Sequence, residues 1–207
     1  IFLAVLIPLI AYIYLRNLLN IEDASALAGT YGSVSAVTFV TAINYLTNSS
    51  QQFDDYMSAV LVVMEFPAIF MALFLFTRKR KDKGSNLQTI KTAFLEIPNI
   101  ILISSLIISY VFNFSQYSQI NLITERLFDY ILLLFLFVMG TRVARRIGEL
   151  KGRSQNLIIF ALITPIVSSG LALIASVYFS LSPGNATLLM VLAASASYIA
   201  VPAVVKD

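Results

Sequence analysis

The chain has no cysteine and no histidine. Disulfides, thiol nucleophiles, Cys/His zinc sites and imidazole acid–base catalysis are therefore excluded as side-chain roles. Charge is scarce too: 12% of residues are charged against 58% hydrophobic, about half the charged share of soluble domains. That balance is the mark of a polytopic protein of the lipid bilayer. The 14 Lys and Arg outnumber the 11 Asp and Glu. They cluster in short loops between apolar runs, which signals membrane topology and excludes a nucleic-acid partner. Ile1 lies inside an apolar run with neither an initiator methionine nor a basic n-region, so this is not a signal peptide. The chain reads as truncated there and again after Lys206-Asp207.

Seven apolar segments follow in order: 1–15, 24–47, 56–76, 97–112, 127–140, 156–180 and 186–205. The first is short of the roughly 20 residues a full span needs. Crossings must alternate, and placing the basic loop at 77–91 in the cytoplasm puts 13 of the 14 basic residues on that side, leaving Arg126 outside. The organisation expected is residues 1–76 as three spans of a first repeat, 77–96 as a basic cytoplasmic loop, and 97–207 as four spans of a second, inverted repeat lacking its last. Leu6-Ile7-Pro8-Leu9-Ile10 is echoed by Ile163-Thr164-Pro165-Ile166-Val167, and each precedes a Ser-x-Ser segment by one short loop. The fold expected is all-α, a helical bundle with inverted-topology repeats and two interrupted helices.

The two Ser-x-Ser segments carry the functional signal. Ala28-Gly29-Thr30-Tyr31-Gly32-Ser33-Val34-Ser35-Ala36-Val37-Thr38 sits in a membrane-length run, yet its side chains are nearly all small or hydroxylated. A helix loosened there frees backbone N–H and C=O groups, which a bilayer tolerates only beside protein or a water-filled cavity. Ala193-Ala194-Ser195-Ala196-Ser197-Tyr198-Ile199-Ala200-Val201-Pro202 repeats that character. Paired interruptions point to a transporter's substrate site, whereas small residues such as Gly29 and Ser33 equally serve close helix packing. Thr38 and Thr41 continue the polar face, unless their hydroxyls bond back to the preceding turn. Alternation makes the two stretches antiparallel. They are expected to meet near the bilayer midplane, with Ser33 or Ser35 close enough to Ser195 or Ser197 for one small anion to bridge them.

Glu65 is the one acid well inside a span. Such a group is costly unless paired or solvated, which makes it a functional candidate, with a protonated or ion-paired structural glutamate as the alternative. Pro67 leaves the carbonyl of Val63 without its usual donor one turn away. Hard oxygen ligands in that arrangement suit a sodium ion.

At Gly29-Thr30-Tyr31-Gly32-Ser33-Val34-Ser35, Met64-Glu65-Phe66-Pro67-Ala68, Met139-Gly140 with Arg146-Ile147-Gly148-Glu149-Leu150, Pro165-Ile166-Val167 and Ala193-Ala194-Ser195-Ala196-Ser197, the chain resembles the sodium-dependent bicarbonate transporter family of the cyanobacterial type. The resemblance implies ten spans in two inverted sets of five, of which this chain covers the third to the ninth. It also implies sodium-coupled bicarbonate uptake across the plasma membrane, a homotrimer, and a PII-like cytoplasmic regulator. Three positions depart from the family pattern: Tyr198 and Glu65, where an Asp is usual, and Arg142, where an acidic residue is.

Bicarbonate is small, planar and rich in acceptors, so hydroxyls and backbone N–H groups at half-helix N-termini suffice to hold it. The residues expected at the anion are Gly32, Ser33, Ser35, Ser195 and Ser197. Thr38, Glu65 and the carbonyls near Tyr198 are expected at the sodium. Beyond the coupling ion, no metal or cofactor is expected. Three rivals stand beside this reading. An intramembrane enzyme using Ser35 or Ser197 lacks a base to activate the serine. The others are a transporter of another small anion or carboxylate, and a non-transporting scaffold or receptor of the same fold.

Overall fold

The computed structural model describes residues 1–77, 97–112, 118–150 and 155–197. Among these the protein is helical, without strands. In chain order the helices are α1 (Phe2–Leu15), α2 (Ile21–Gly32), α3 (Ala36–Asn48), α4 (Tyr56–Thr77), α5 (Ile97–Phe112), α6 (Ser118–Arg146), α7 (Gln155–Tyr178) and α8 (Pro183–Ala194). A short 3-10 turn, Ile147–Leu150, follows α6. By length and composition, three stretches among the described residues are able to cross a membrane: Ile21–Asn48, Leu127–Arg145 and Gln155–Tyr178. The basic residues between 78 and 96, Tyr198 and the rest of the last apolar segment lie outside the described residues.

Local chemistry sets the boundaries, and in three places it moves them from those the apolar pattern suggests. Residues 20–23, outside the apolar segments 1–15 and 24–47, open α2: the Asn20 side chain accepts from Asp23 N at 2.7 Å, and Glu22 and Asp23 sit favourably at the positive end of the dipole. Likewise Ser182-Pro183-Gly184-Asn185, between the apolar segments 156–180 and 186–205, is the cap and first turn of α8, with Ser182 capping and Pro183 at the helix start. The third difference is α6, which spans 29 residues where the apolar run covers only 127–140. Its arginines are good helix formers, so the helix continues beyond the apolar stretch. Helices α3 and α7 end alike. Ser50 and Ser180 adopt positive φ, and Gln51 N and Leu181 N reach back to the carbonyls of Leu46 and Ser176 at 2.9 and 3.0 Å, the six-to-one bond of a Schellman ending.

Helix α1 packs on α2, α4 and α7, α2 on α4, and α8 on α3, α4 and α7. Two cores result. One joins Leu3 and Ile7 to Phe39, Leu61, Met64 and Leu188; the other joins Ala11 and Leu15 to Ala28, Met71 and Phe160. In a bilayer, apolar side chains gain little by leaving lipid for protein, so association depends on close packing. Small residues supply it: Ala4, Ala24, Ala28, Ala68 and Ala172 are all fully buried. Helix α1 has one end in each core, with Pro8 between them. The seam between the cores is where the polar groups gather.

Candidate functional site

The site begins where α2 stops. Gly32, its last residue, lies against Pro8 so closely that a Cβ there would come within 2.6 Å of the proline Cγ. Ser33 and Ser35 are extended, and α3 starts at Ala36 with Ser35 as its N-cap. Three residues thus leave the helical path, and their backbone groups need other partners.

Glu65 on α4 supplies one, for Val34, and takes the Ser33 side chain as well. Ser33 Oγ donates to Glu65 Oε1 at 2.9 Å and lies 3.0 Å from Oε2. The backbone N–H of Val34 donates to Oε2 at 2.9 Å. Ser33 is fully buried, and Glu65 is the only buried acid or base among the described residues. A carboxylate at this depth is tolerable because donors converge on it.

The end of α8 supplies another, for Ser35. Ser195, its C-cap, accepts from Ser35 N at 3.0 Å and donates to the carbonyl of Leu192 at 2.8 Å. Ser197 N donates to the carbonyl of Thr30 at 3.1 Å. These bonds join stretches 160 positions apart, and they do so directly.

The structure therefore brings together Gly32, Ser33, Ser35, Glu65, Ser195 and Ser197. Thr38 lies at the exposed rim, where its hydroxyl donates to Ser35 Oγ at 2.9 Å and not to Glu65. Thr41 bonds back to the carbonyl of Val37 at 2.8 Å, the local alternative for a membrane threonine. Tyr198 lies outside the described residues. Glu65, grouped by its chemistry with the cation, touches Ser33, grouped with the anion.

Sequence reasoning missed the N–H of Val34 and the carbonyl of Thr30, since backbone groups leave no side-chain signature. It also missed a second polar cluster. The buried Asn185 side chain accepts from Asp54 N at 2.9 Å and donates to Asp54 Oδ2 and, at 2.9 Å, to the Tyr56 hydroxyl. Gly184 beside it lies so close to Gln52 that a Cβ would stand 2.1 Å from that carbonyl oxygen. The cluster ties the α3–α4 loop to the start of α8. An asparagine just behind a Ser-Pro cap was the available signal, for a buried first turn needs such a partner.

The family model described as the Na+-dependent bicarbonate transporter superfamily matches residues 1–207, the whole chain. No curated protein matches.

Proposed function

The chain belongs to the Na+-dependent bicarbonate transporter superfamily, and from that premise we propose that it is a multi-pass plasma-membrane symporter carrying bicarbonate inward with sodium. It is a transporter and not an enzyme. Its substrate is held where the Ser33–Ser35 break meets the end of α8. Bicarbonate needs donors but no full positive charge, and the start of α3 offers both free N–H groups and the positive end of a helix dipole. Gly32, Ser33, Ser35, Ser195 and Ser197 form the anion's surroundings. Glu65, Thr38 and the carbonyls near Tyr198 serve the sodium, whose charge offsets that of the anion and couples the two fluxes.

The observation that carries this reading is the direct hydrogen bonding of the two Ser-x-Ser stretches, Ser35 N to Ser195 Oγ and Ser197 N to Thr30 O. Two short half-helices, each behind a proline-containing helix, α1 with Pro8 and α7 with Pro165, are what an inverted repeat with two interrupted helices would place at its centre. The exposed apolar surfaces of α5 and α6 suit a homotrimer in lipid, and the basic cytoplasmic loops suit a PII-like regulator.

The test is uptake of labelled bicarbonate into proteoliposomes holding the full-length protein, with and without a sodium gradient. Wild type should accumulate label only with sodium. Ser35→Leu and Ser197→Leu should each abolish uptake while the protein stays folded, because leucine fills the crossing. Wild-type transport by both variants would remove the crossing from the mechanism.

A further inference from the structure

Five of the donors at the crossing are already engaged. Ser33 O–H and Val34 N–H are spent on Glu65. Ser35 N–H is spent on Ser195, Ser195 O–H on the Leu192 carbonyl, and Ser197 N–H on the Thr30 carbonyl. Each hydroxyl and each N–H has one proton to give. An anion taking the donors of Ser33 and Val34 must therefore displace the acceptor already in place there.

The acceptors differ in how readily they yield. The carbonyls of Leu192 and Thr30 belong to helix backbone and are fixed by it. Glu65 is a side chain with rotatable bonds, and it is also the one acceptor of the same chemical kind as the cargo. A glutamate carboxylate and a bicarbonate ion each present two unprotonated oxygens that share one negative charge on a planar carbon. The pair of donors that grips one fits the other.

Resting on the reading above, we propose that Glu65 is a built-in stand-in for the transported anion, occupying the donors of Ser33 and Val34 until sodium draws its carboxylate away. Sodium and bicarbonate then bind in that order. A sodium ion coordinated by Glu65 turns the carboxylate off Ser33 and Val34, and the cargo takes the vacated donors. Without sodium, cargo and glutamate would be two like charges contending for one place, and the cargo is excluded. Glu65 acts here as a specificity-determining and positioning residue, and the recognised class is the small planar carboxylate-like anion. Sodium dependence thus arises from competition as well as from coordination, a distinction with a measurable sign.

The experiment is equilibrium binding of labelled bicarbonate to the purified full-length protein in sodium-free buffer, and again with saturating sodium. Wild type should bind well only with sodium. Glu65→Ala should bind about tenfold or more tightly than wild type in the sodium-free buffer, since a like charge within a few ångströms is gone, and added sodium should improve it little. Glu65→Asp guards against loss of fold: it keeps the charge but is one methylene too short to reach both Ser33 and Val34, so its sodium-free binding should also exceed that of wild type. If sodium-free binding in both variants is no better than in wild type, Glu65 is not a competitor and the proposal is overturned. If instead both need more sodium than wild type to bind bicarbonate, Glu65 acts only as a sodium ligand, and the proposal is again overturned. Wild type that fails to bind bicarbonate even with sodium would be a failure of the transport reading itself, recognisable before any variant is examined.

Discussion

Replacing Gly32 by alanine is the smallest change that tests the packing behind the site. The added methyl would lie 2.6, 2.8 and 3.0 Å from Cγ, Cδ and Cβ of Pro8. Carbon atoms prefer to stand about 3.5–4.0 Å apart, so the shortfall is about 1 Å. A flexible side chain could swing aside, but the proline ring is bonded to its own backbone nitrogen and cannot. Helix α1 or the end of α2 must move, and both are held by cores at either side of the contact. Overpacking of this kind costs about 1–3 kcal/mol. At about 2–4 °C per kcal/mol for a chain of this size, thermal unfolding in detergent should occur several degrees lower. The displacement falls on Ser33, the next residue, so bicarbonate uptake by the remaining folded protein should drop as well. Gly170→Ala is the control: nothing stands within 4 Å of that position, and alanine in mid-helix is favoured over glycine by up to about 1 kcal/mol. A second arm removes the obstacle. Gly32→Ala should cost less stability in a Pro8→Ala background than in wild type, the non-additivity expected of two residues in contact. Wild-type melting and uptake in Gly32→Ala would refute the reasoning, since the close approach to Pro8 would then have no energetic content.

Other outcomes follow from the remaining geometry. Asn185→Ala withdraws the partner of Asp54 N and of Tyr56 and should destabilise by about 2–3 kcal/mol, read as a lower melting temperature; an unchanged melt would show the cluster to be ornamental. The absence of cysteine from these 207 residues allows single-cysteine labelling with an impermeant maleimide. Lys81→Cys and Arg153→Cys should stay unlabelled from outside intact cells while Gln51→Cys is labelled, and the reverse pattern would invert the topology.

The helical class, the positions of the apolar helices and the meeting of the two Ser-x-Ser stretches were legible in the sequence, because hydropathy and small-residue runs report directly on what a bilayer permits. Glu65 was legible as the lone acid in mid-span. Its partners were not, since one of them is a backbone N–H and the other had been allotted to the anion by its hydroxyl. Contacts such as Pro8 with Gly32 are invisible for a related reason: each residue has a sufficient local explanation, as helix breaker or as flexible hinge, and only three-dimensional proximity shows that they serve one another. The ends of α2, α6 and α8 were misplaced because hydropathy measures where a helix is buried in lipid, while caps such as Asn20 and Ser182 decide where it starts.

That difference between buried length and helical length has a physical consequence for α6. Its 29 residues rise about 1.5 Å each, or about 43 Å in all, against a hydrocarbon thickness of about 30 Å. The excess must be accommodated by tilting the helix or by letting its ends stand clear of the oil. At one end the exposed Arg142 and Arg145 are the residues that a phosphate layer at the helix end would attract through its negative charge. Helix α6 is therefore gauged to the membrane around it. A thinner bilayer would lay it over, a thicker one would draw it upright, and the angle it presents to neighbouring helices would be set partly by the lipid and not by the protein alone.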